Sequence, residues 1–452
     1  MSGILNGMRV VEGSAFVAVP LAGMTLAQMG ADVIRFDRLE GGLDATRWPV
    51  APSGQSHFWA GLNKGKRSIA IDMKSPRGRE IVSEIICAPG EDAGLFITNL
   101  SARGWTDHET LAARRPDICM VSLMGDRHGR PAVDYTVNPS VGFPHATGPQ
   151  GSTEPVAHTL PAWDCIAGQM VVSGLLAAER HRLRTGRGQA VQVSLKDIAA
   201  AMLGNLGIIG EVTVNGIDRP KAGNALYGAY GQDFVCADGE RVMVIGLTAR
   251  QWANLVKVTG TGAAMDALGE SLGCDLGDEG ARWQARTAIT AILAPWFATR
   301  RVAEFAETFD RAGITWSVFR SFAEALEKDP DLSADNPMFS MMEQPGIGRH
   351  LVPGSPFGFS DMAREDPRPA PRLGEHTEAI LADVAGLPGG EIASLFDAGI
   401  VAEPTEGRCS ATQALSIPMR QRQARKAPPP LASASLGEGA AVGADRRRQA
   451  AG

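Results

Sequence analysis

Short runs of apolar and β-branched residues alternate with helical patterns through the first half of the chain. Such runs predict strands, and apolar positions that recur every three to four residues predict helices. The predicted strands are residues 9–12, 31–36, 94–99, 118–123 and 190–195. The predicted helices are residues 20–29, 76–86, 110–115, 164–182 and 195–209. Because this alternation is typical of an open, parallel, doubly wound sheet, we predict a Rossmann-like α/β fold for this part.

The pattern changes beyond the last of these helices. Near residue 219 the sequence becomes rich in glycine and tyrosine, and residues 234–244 predict a β-hairpin. Residues 329–366 predict a linker with short strands, and residues 375–385 predict a closing helix. Beyond Pro404 no apolar periodicity remains, which predicts disorder. The expected units are a large domain over 1–222, a small α+β domain over 223–328, a return linker and C-terminal part of the large domain over 329–404, and a disordered tail over 405–452.

The composition excludes several classes of protein. Across 452 residues the formal net charge is -6, which gives no overall basic field for nucleic acid or for an anionic membrane. The six cysteines include no C-x-x-C pair and the eight histidines have no ligand-like spacing, so we expect neither a metal site nor a disulfide framework. The N-terminus does not resemble a signal peptide and no apolar run reaches membrane-spanning length, so we expect a cytoplasmic protein.

One carboxylate, Asp164, lies at the centre of the apolar stretch 160–169. It follows Leu-Pro-Ala-Trp at or just inside the start of a predicted helix, where aspartate most often serves as a cap. The other interpretation is a nucleophile, because a carboxylate that attacks a thioester carbonyl forms an activated anhydride. The residue types by themselves leave both roles open.

A basic segment at residues 63–74, with the sequence NKGKRSIAIDMK, surrounds a further strand-like run. Its cations and two arginines near the end of the preceding strand could bind phosphates, because open α/β sheets bind ligands at strand ends. Solvated surface charge is the alternative for each of them. No G-x-G-x-x-G follows the first strand, which disfavours a dinucleotide dehydrogenase. The cations are Arg35, Arg38, Lys64, Lys66, Arg67 and Lys74.

Five segments, taken in order, resemble the class III CoA-transferase family, which includes formyl-CoA transferase and α-methylacyl-CoA racemase. They are GMRVVE (7–12), LAQMGADVI (26–34), the basic segment (63–74), TGRGQ (185–189) and LGEHT (373–377). The resemblance covers residues 3 to about 403 and implies an enzyme that transfers CoA between carboxylic acids. It also implies an interlocked homodimer that uses CoA as part of its thioester substrate and needs no further cofactor.

The resemblance implies roles for individual residues. The nucleophilic aspartate of the family corresponds to Asp164, and residues 223–231 (GNALYGAYG) correspond to the glycine-rich lid of formyl-CoA transferase. Bulkier lid residues imply a different acyl group or a more enclosed site. The implied lid residues are Leu226, Tyr227 and Tyr230. The implied CoA contacts are Ala15, Phe16, Val17, Ala18, Arg38, Ile71, Lys74, Asn99, Leu100, Arg103, Met124 and Asp126.

The sequence does not support the racemase reaction. In the racemase a catalytic histidine immediately precedes an aspartate that corresponds to Asp134, and here that place is Val133. One of the two groups that a two-base proton exchange needs is therefore missing from this position.

Four segments resemble family members that move CoA from one carboxyl group of mesaconate to the other, in glyoxylate assimilation by the 3-hydroxypropionate cycle. They are residues 10–18, 58–67, 134–139 and 160–164. We therefore expect interconversion of 2-methylfumaryl-CoA and 3-methylfumaryl-CoA through an aspartyl anhydride and an aspartyl-CoA thioester. The alternatives are intermolecular transfer from succinyl-CoA or another donor to a small carboxylic acid, and a catalytically silent CoA-binding or scaffold protein.

Overall fold

The computed structural model describes residues 3–101 and 103–404, so the predicted tail at 405–452 lies outside the described residues. The strands are β1 (Arg9–Gly13), β2 (Asp32–Asp37), β3 (Arg67–Ile71), β4 (Leu95–Thr98), β5 (Cys119–Met124), β6 (Gln189–Ser194), β7 (Tyr230–Val235), β8 (Arg241–Gly246), β9 (Thr315–Val318), β10 (Phe339–Gln344), β11 (Gly348–Pro353) and β12 (Val401–Ala402). The α-helices are α1 (Ala18–Gln28), α2 (His57–Leu62), α3 (Pro76–Ile86), α4 (His108–Arg114), α5 (Asp134–Val137), α6 (Phe143–Ala146), α7 (Ala162–Thr185), α8 (Leu195–Asn205), α9 (Ile208–Asn215), α10 (Ala249–Thr259), α11 (Gly262–Leu272), α12 (Glu279–Ala298), α13 (Val302–Ala312), α14 (Phe322–Lys328), α15 (Thr377–Asp383) and α16 (Gly389–Asp397).

Seven of these strands form one sheet in the order β12-β3-β2-β1-β4-β5-β6. Neighbouring strands are parallel except for β12, which pairs antiparallel with β3. Side chains alternate between the two faces of a strand, so Val10 and Val11 of β1 enter two different hydrophobic cores. Helices α1, α7 and α8 pack on one face, and α3, α15 and α16 pack on the other. The predicted parallel, doubly wound sheet is confirmed.

A second, smaller sheet contains β7, β8 and β9 in antiparallel order. The predicted hairpin at residues 234–244 is confirmed as part of the β7–β8 pair. This sheet has a core of its own, in which Tyr230 and Phe297 are fully buried. The described residues nevertheless belong to one compact unit, so the domain boundaries expected at 222 and 328 stay a prediction.

The chain returns to the large sheet after the small one. β10 and β11 are the short strands expected in the linker and pair as an antiparallel hairpin, and α15 lies within the predicted closing helix. α16 and β12 follow, and the sequence pattern predicts neither of them. β12 has only two residues, which is too short for a strand pattern. Val401 of β12 pairs with Ile71, which fixes the end of the described chain at the edge of the large sheet.

Two helices differ from the pattern-based expectation. α7 begins two residues before Asp164 and extends to Thr185, where the left-handed Gly186 ends it. The helix expected at 195–209 is instead the pair α8 and α9, because Gly207 has a φ of +76° and interrupts the helix. No single described helix is long and apolar enough to cross a membrane; α8 and α9 pass that test only together, with a bend of 60° between them.

Candidate active site

Asp164 is the third residue of α7, and a different aspartate caps this helix. α7 begins at Ala162, and Pro161 before it supplies no side-chain cap. The carboxylate of Asp134 takes that place, because its Oδ2 accepts the backbone N–H of Trp163 at 2.7 Å and that of Asp164 at 3.3 Å. These are two of the N–H groups that a helix start leaves unpaired. The capping role considered for the side chain of Asp164 is therefore wrong.

The carboxylate of Asp164 lies in surroundings that disfavour its charge. Burial and, next in size, the negative charge of Asp134 raise the pKa of Asp164 to about 6. Within residues 3–101 and 103–404, no group donates a hydrogen bond to this carboxylate. At neutral pH the group is therefore ionised but poorly stabilised, which is the state that suits a carboxylate nucleophile.

Trp163 anchors the start of α7. Its ring is buried 5.4 Å from the ring of Phe143, and its indole N–H donates to Asn138 Oδ1 at 3.1 Å. A buried tryptophan whose N–H is paired combines large apolar contact with a fixed orientation. Residues 134–143 therefore determine where Asp164 lies, both through the Asp134 cap and through this ring.

A histidine that sequence reasoning passed over lies beside the same aspartate. His158 Nε2 is 2.9 Å from Asp134 Oδ1, in the loop that leads into α7. The hydroxyl of Tyr135 donates to the carbonyl oxygen of Thr159 at 3.3 Å and ties this loop to α5. His158 and Asp134 are separated by 24 positions along the chain, so no local sequence motif identifies their contact.

The turn after β1 lies against the residue after β4. Ala15 N–H donates to Asn99 Oδ1 at 2.9 Å, and Asn99 Nδ2 donates to Ala15 O at 2.7 Å. Phe16 in this turn has a φ of +66°, an uncommon value for a residue with a side chain. These contacts place Ala15, with its neighbours Phe16 and Val17, next to Asn99.

α7 packs closely on this turn. A Cβ atom added at Gly168 would lie 2.8 Å from the carbonyl oxygen of Ala18, so the helix backbone approaches the start of α1 closely. Residues four apart in a helix share a face, so Asp164 lies on the same side of α7 one turn earlier. The predicted nucleophile and the predicted CoA turn therefore belong to one region of the molecule.

The predicted CoA contacts share a place in the fold. Arg38 follows β2, Ile71 ends β3, Asn99 follows β4 and Met124 ends β5. Because these strands are parallel, their carboxyl ends meet at one edge of the sheet, where ligands bind in open α/β folds. Contact with CoA stays a prediction for each residue.

Exposure separates these residues into two kinds. The side chains of Arg38, Lys74 and Arg103 are exposed, as is much of Leu100, and they can reach a ligand. The side chain of Ile71 is fully buried in the core, so only its main chain could contact CoA.

Asp126 already has partners within its loop. Its carboxylate accepts the backbone N–H groups of Arg130 and His128, each at 2.9 Å, and also binds Arg130 Nε. The hydrogen bond from the Arg130 backbone is the main cause that lowers the pKa of Asp126 to about 2. This aspartate therefore shapes the loop after β5, and its predicted contact with CoA stays untested.

Several cations of the basic segment do not face a ligand. Lys66 is fully buried and pairs with Glu12 Oε2 at 2.8 Å. Lys64 is also buried and donates to the carbonyl oxygen of Gly61, and burial together with Lys66 lowers the pKa of Lys64 to about 8. The interpretation of these two lysines as phosphate ligands is wrong, because both ammonium groups have partners inside the protein.

The two arginines considered with them are likewise paired. Arg35 is buried and binds Asp37 at 2.8 Å and Asp44 at 2.9 Å. Arg67 Nε donates to Asp32 Oδ1 at 2.7 Å across β2 and β3. Both arginines thus hold elements of the large sheet together, which leaves Arg38 and Lys74 as the exposed cations of the original group.

The predicted lid contains one tyrosine tied to its surroundings. Tyr227 donates its hydroxyl to Glu211, the Arg219 guanidinium lies 4.2 Å from its ring centre, and the Trp283 ring lies 4.8 Å away. Leu226 N–H donates to Gly231 O at 3.0 Å. This loop is therefore held between α9 and α12.

Tyr230 is not a lid residue. It is the first residue of β7, its ring is fully buried in the core of the small sheet, and its hydroxyl lies 3.0 Å from Thr290 Oγ1. Burial raises its pKa. The prediction that it faces a substrate is wrong, because its side chain fills the core on which the lid rests.

Comparisons with known proteins agree with this geometry. The model for CoA-transferase family III matches residues 5–377. The chain is 57% identical over 405 residues to 2-methylfumaryl-CoA isomerase of Chloroflexus aurantiacus, which covers 89% of this chain and 99% of that protein. It is 27% identical to succinyl-CoA:glutarate CoA-transferase of Mus musculus, over 88% of this chain and 90% of that protein. A CAIB/BAIF family protein from Brucella suis has a similar structure, with a TM-score of 0.69 and 25% identity over 85% of this chain and 100% of that one.

Proposed function

The chain belongs to CoA-transferase family III, and on that premise we propose that it moves coenzyme A between the two carboxyl groups of 2-methylfumarate. The reaction interconverts 2-methylfumaryl-CoA and 3-methylfumaryl-CoA. The observation that carries the proposal is 57% identity to 2-methylfumaryl-CoA isomerase along almost the whole of that protein. The half-buried Asp164, with a raised pKa, supports the nucleophile that such a reaction requires.

The first half of the reaction moves CoA onto the enzyme. The Asp164 carboxylate attacks the thioester carbonyl, CoA leaves as its thiolate, and a mixed anhydride forms. The thiolate then attacks the aspartyl carbonyl of that anhydride. This step forms an aspartyl-CoA thioester and frees 2-methylfumarate as a dicarboxylate.

The second half returns CoA to the other end of the acid. The second carboxylate of the freed dicarboxylate attacks the aspartyl-CoA thioester, and CoA again leaves as its thiolate. Thiolate attack on the acyl carbonyl of the new anhydride gives the isomeric thioester. This step also releases Asp164 as a carboxylate, so atoms and charges balance and no outside reactant is consumed.

CoA would bind along the carboxyl edge of the large sheet. Exposed Arg38, Lys74 and Arg103 supply positive charge for its phosphates, and the turn at residues 15–18 and the Asn99 region supply main-chain contacts. The packing of Gly168 on Ala18 supports this arrangement, because it keeps the face of α7 that carries Asp164 near that turn.

The released acid must stay in the site between the two halves. Holding two reactants together replaces a bimolecular encounter and is worth up to ~7–11 kcal/mol of the barrier. Leu226 and Tyr227 are our candidates for the lid that retains the acid, since the contacts of Tyr227 with Glu211, Arg219 and Trp283 restrain this loop.

We also propose a homodimer. α9 is largely apolar, yet none of its residues is buried, and Ile209, Val212 and Val214 are 49%, 44% and 83% exposed. Exposed apolar faces of this kind are typical of surfaces that another chain covers. A second copy is the partner that family membership favours, and the interlocked arrangement and the cytoplasmic location stay predictions.

The main rival is intermolecular transfer from succinyl-CoA or a similar donor, which is the reaction named for the mouse relative. To separate the two, the enzyme is incubated with 2-methylfumaryl-CoA and isotope-labelled free 2-methylfumarate. Our proposal predicts 3-methylfumaryl-CoA with little label. Label entry that keeps pace with isomer formation would support the rival, and turnover that survives in Asp164→Ala would remove the proposed nucleophile.

A further inference from the structure

We propose that His158 is a positioning residue for the nucleophile, acting through the buried carboxylate of Asp134. The inference deepens the proposed function and rests on it. It concerns a residue pair that lies outside the turn, the exposed cations and the lid described above.

The two oxygens of Asp134 have different partners. Oδ1 lies 2.9 Å from His158 Nε2, whereas Oδ2 accepts the backbone N–H groups of Trp163 and Asp164 at 2.7 and 3.3 Å. The side chain of Asp134 is 1% exposed and that of His158 is 27% exposed. One rigid carboxylate thus connects a partly exposed imidazole with the first turn of α7.

Within the described residues, three titratable groups belong to the surroundings of Asp164, two of them next to it and one through Asp134. Asp134 approaches from α5, His158 hydrogen-bonds Asp134 from the loop before α7, and Cys165 follows on α7 itself. Burial and, next, the charge of Asp164 raise the pKa of the Cys165 thiol, so this group stays neutral at ordinary pH. The negative charge beside Asp164 therefore comes from Asp134, whose position depends on the hydrogen bond from His158.

The arrangement favours acylation for a simple electrostatic reason. Asp164 and Asp134 repel each other while both are ionised, and acylation removes the charge of Asp164 and with it the repulsion. A donor at Oδ1 holds Asp134 in its buried position, since an unpaired buried carboxylate oxygen is costly. His158 supplies that donor, and its loss would leave Oδ1 unpaired and let Asp134 turn away from the helix start.

The test follows the rate of acyl-enzyme formation as a function of pH, by rapid quench and detection of released CoA. The variants are His158→Ala, His158→Gln and Asp134→Asn, with His181→Ala on the exposed surface of α7 as the matched histidine control. Glutamine can still donate to Asp134 but has no ionisable group. Asparagine keeps an acceptor for the helix N–H groups but carries no charge.

We expect His158→Ala to lower the acylation rate constant by roughly 10-fold or more with little change in KM, because it removes one charge-assisted hydrogen bond. His158→Gln should recover most of that loss. Asp134→Asn should move the acidic limb of the profile about one pH unit lower, since removal of the neighbouring charge lets Asp164 ionise more easily. His181→Ala should match the wild type.

The outcomes separate this inference from the proposed function. If wild-type enzyme forms an adduct on Asp164 and all variants keep its rate and profile, His158 has no positioning role while the transfer chemistry stands. Equal losses in His158→Ala and His158→Gln, accompanied by lower melting temperatures, would also overturn the inference, because they indicate a structural role only. If His158→Ala fails to fold, the pH profile of Asp134→Asn decides. An acidic limb that moves to lower pH supports the inference, and an unchanged acidic limb overturns it. Lack of any wild-type adduct would overturn the proposed function itself.

Discussion

Asp134 and Asp164 lie side by side at the start of α7, with Asp134 Oδ2 3.3 Å from the backbone nitrogen of Asp164. One aspartate caps the helix, and the other is left with a half-buried carboxylate that no described residue stabilises by a hydrogen bond. Burial and, next in size, the negative charge of Asp134 raise the pKa of Asp164. Asp134 thus has a structural role and Asp164 is left for a chemical one, although both residues are aspartates.

The first prediction concerns the pH dependence of acylation. Because Asp164 attacks as an anion and its pKa is raised to about 6, the rate of acyl-enzyme formation should fall about tenfold per pH unit well below pH 6 and level off above pH 7. Pre-steady-state measurement of CoA release between pH 4.5 and 8.5 gives this profile. An acidic limb near pH 4 would show that the surroundings of Asp164 do not disfavour its charge.

A stability prediction follows from the same shift. The folded-state pKa of Asp164 lies above its unfolded value, so the favourable contribution of its protonated form is present below about pH 4 and is lost as the pH rises through about 6. Asp164→Asn should therefore be more stable than the wild type at pH 7.5, by roughly 1–3 kcal/mol. Denaturant unfolding at pH 7.5 and pH 4 tests this, and a gain of equal size at both pH values would contradict it.

The buried and exposed cations should respond differently to substitution. Lys66→Met leaves the buried carboxylate of Glu12 without its partner ammonium group, which should cost about 3–5 kcal/mol of unfolding free energy. Arg38→Ala and Lys74→Ala remove exposed charges, so they should leave the melting temperature unchanged and raise KM for the CoA thioester by roughly 2- to 5-fold. An unchanged KM in both surface variants would argue against phosphate contacts there.

The close packing of α7 on the turn at residues 15–18 gives a paired test. Gly168→Ala places a Cβ 2.8 Å from the carbonyl oxygen of Ala18, so it should shift the helix and lower both kcat and the melting temperature. The new Cβ in Gly174→Ala meets the side chains of Val191 and Val121 at 3.4 and 3.9 Å, which is ordinary contact, so this variant should gain helix propensity, about 0.5–1 kcal/mol, without loss of activity. Equal behaviour of the two variants would contradict the proposed proximity of helix and turn.

Much of this architecture could be predicted from the sequence, because parallel buried strands are almost continuously apolar. Strands β1 to β6 and the placement of Arg38, Asn99 and Met124 at one sheet edge follow from that pattern. β12 could not be predicted, since two residues carry no periodicity and its pairing with β3 depends on the tertiary fold.

The site was less predictable, because charge partners come from distant positions. Lys66, directly before β3, has the same local appearance as a phosphate ligand, and only its contact with Glu12 on β1, two strands away in the sheet, shows its structural role. Tyr227 and Tyr230 are three residues apart, but β7 begins at Tyr230, so Tyr227 is in the loop and Tyr230 is in the core. His158 likewise shows no sequence signal, since its partner is brought near only by the loop before α7.

We expect a substitution in the proposed lid to increase exchange with free acid more than it changes the rate of isomerisation. Tyr227→Phe removes the hydrogen bond to Glu211, so the loop should hold the freed acid less tightly. Labelled free 2-methylfumarate should then enter the thioester pool severalfold faster than in the wild type. Glu307→Gln, on the exposed surface of α13, is the control and should leave exchange unchanged. Exchange that is no faster in Tyr227→Phe would remove this residue from the lid.

The covalent state of Asp164 during turnover tests the central claim most directly. Enzyme is mixed with 2-methylfumaryl-CoA, quenched with hydroxylamine or borohydride, and its peptides are analysed by mass spectrometry. The account predicts a modified residue at Asp164 in the wild type and its loss in Asp164→Ala. Modification that is undiminished in Asp164→Ala, or located on another residue, would contradict it.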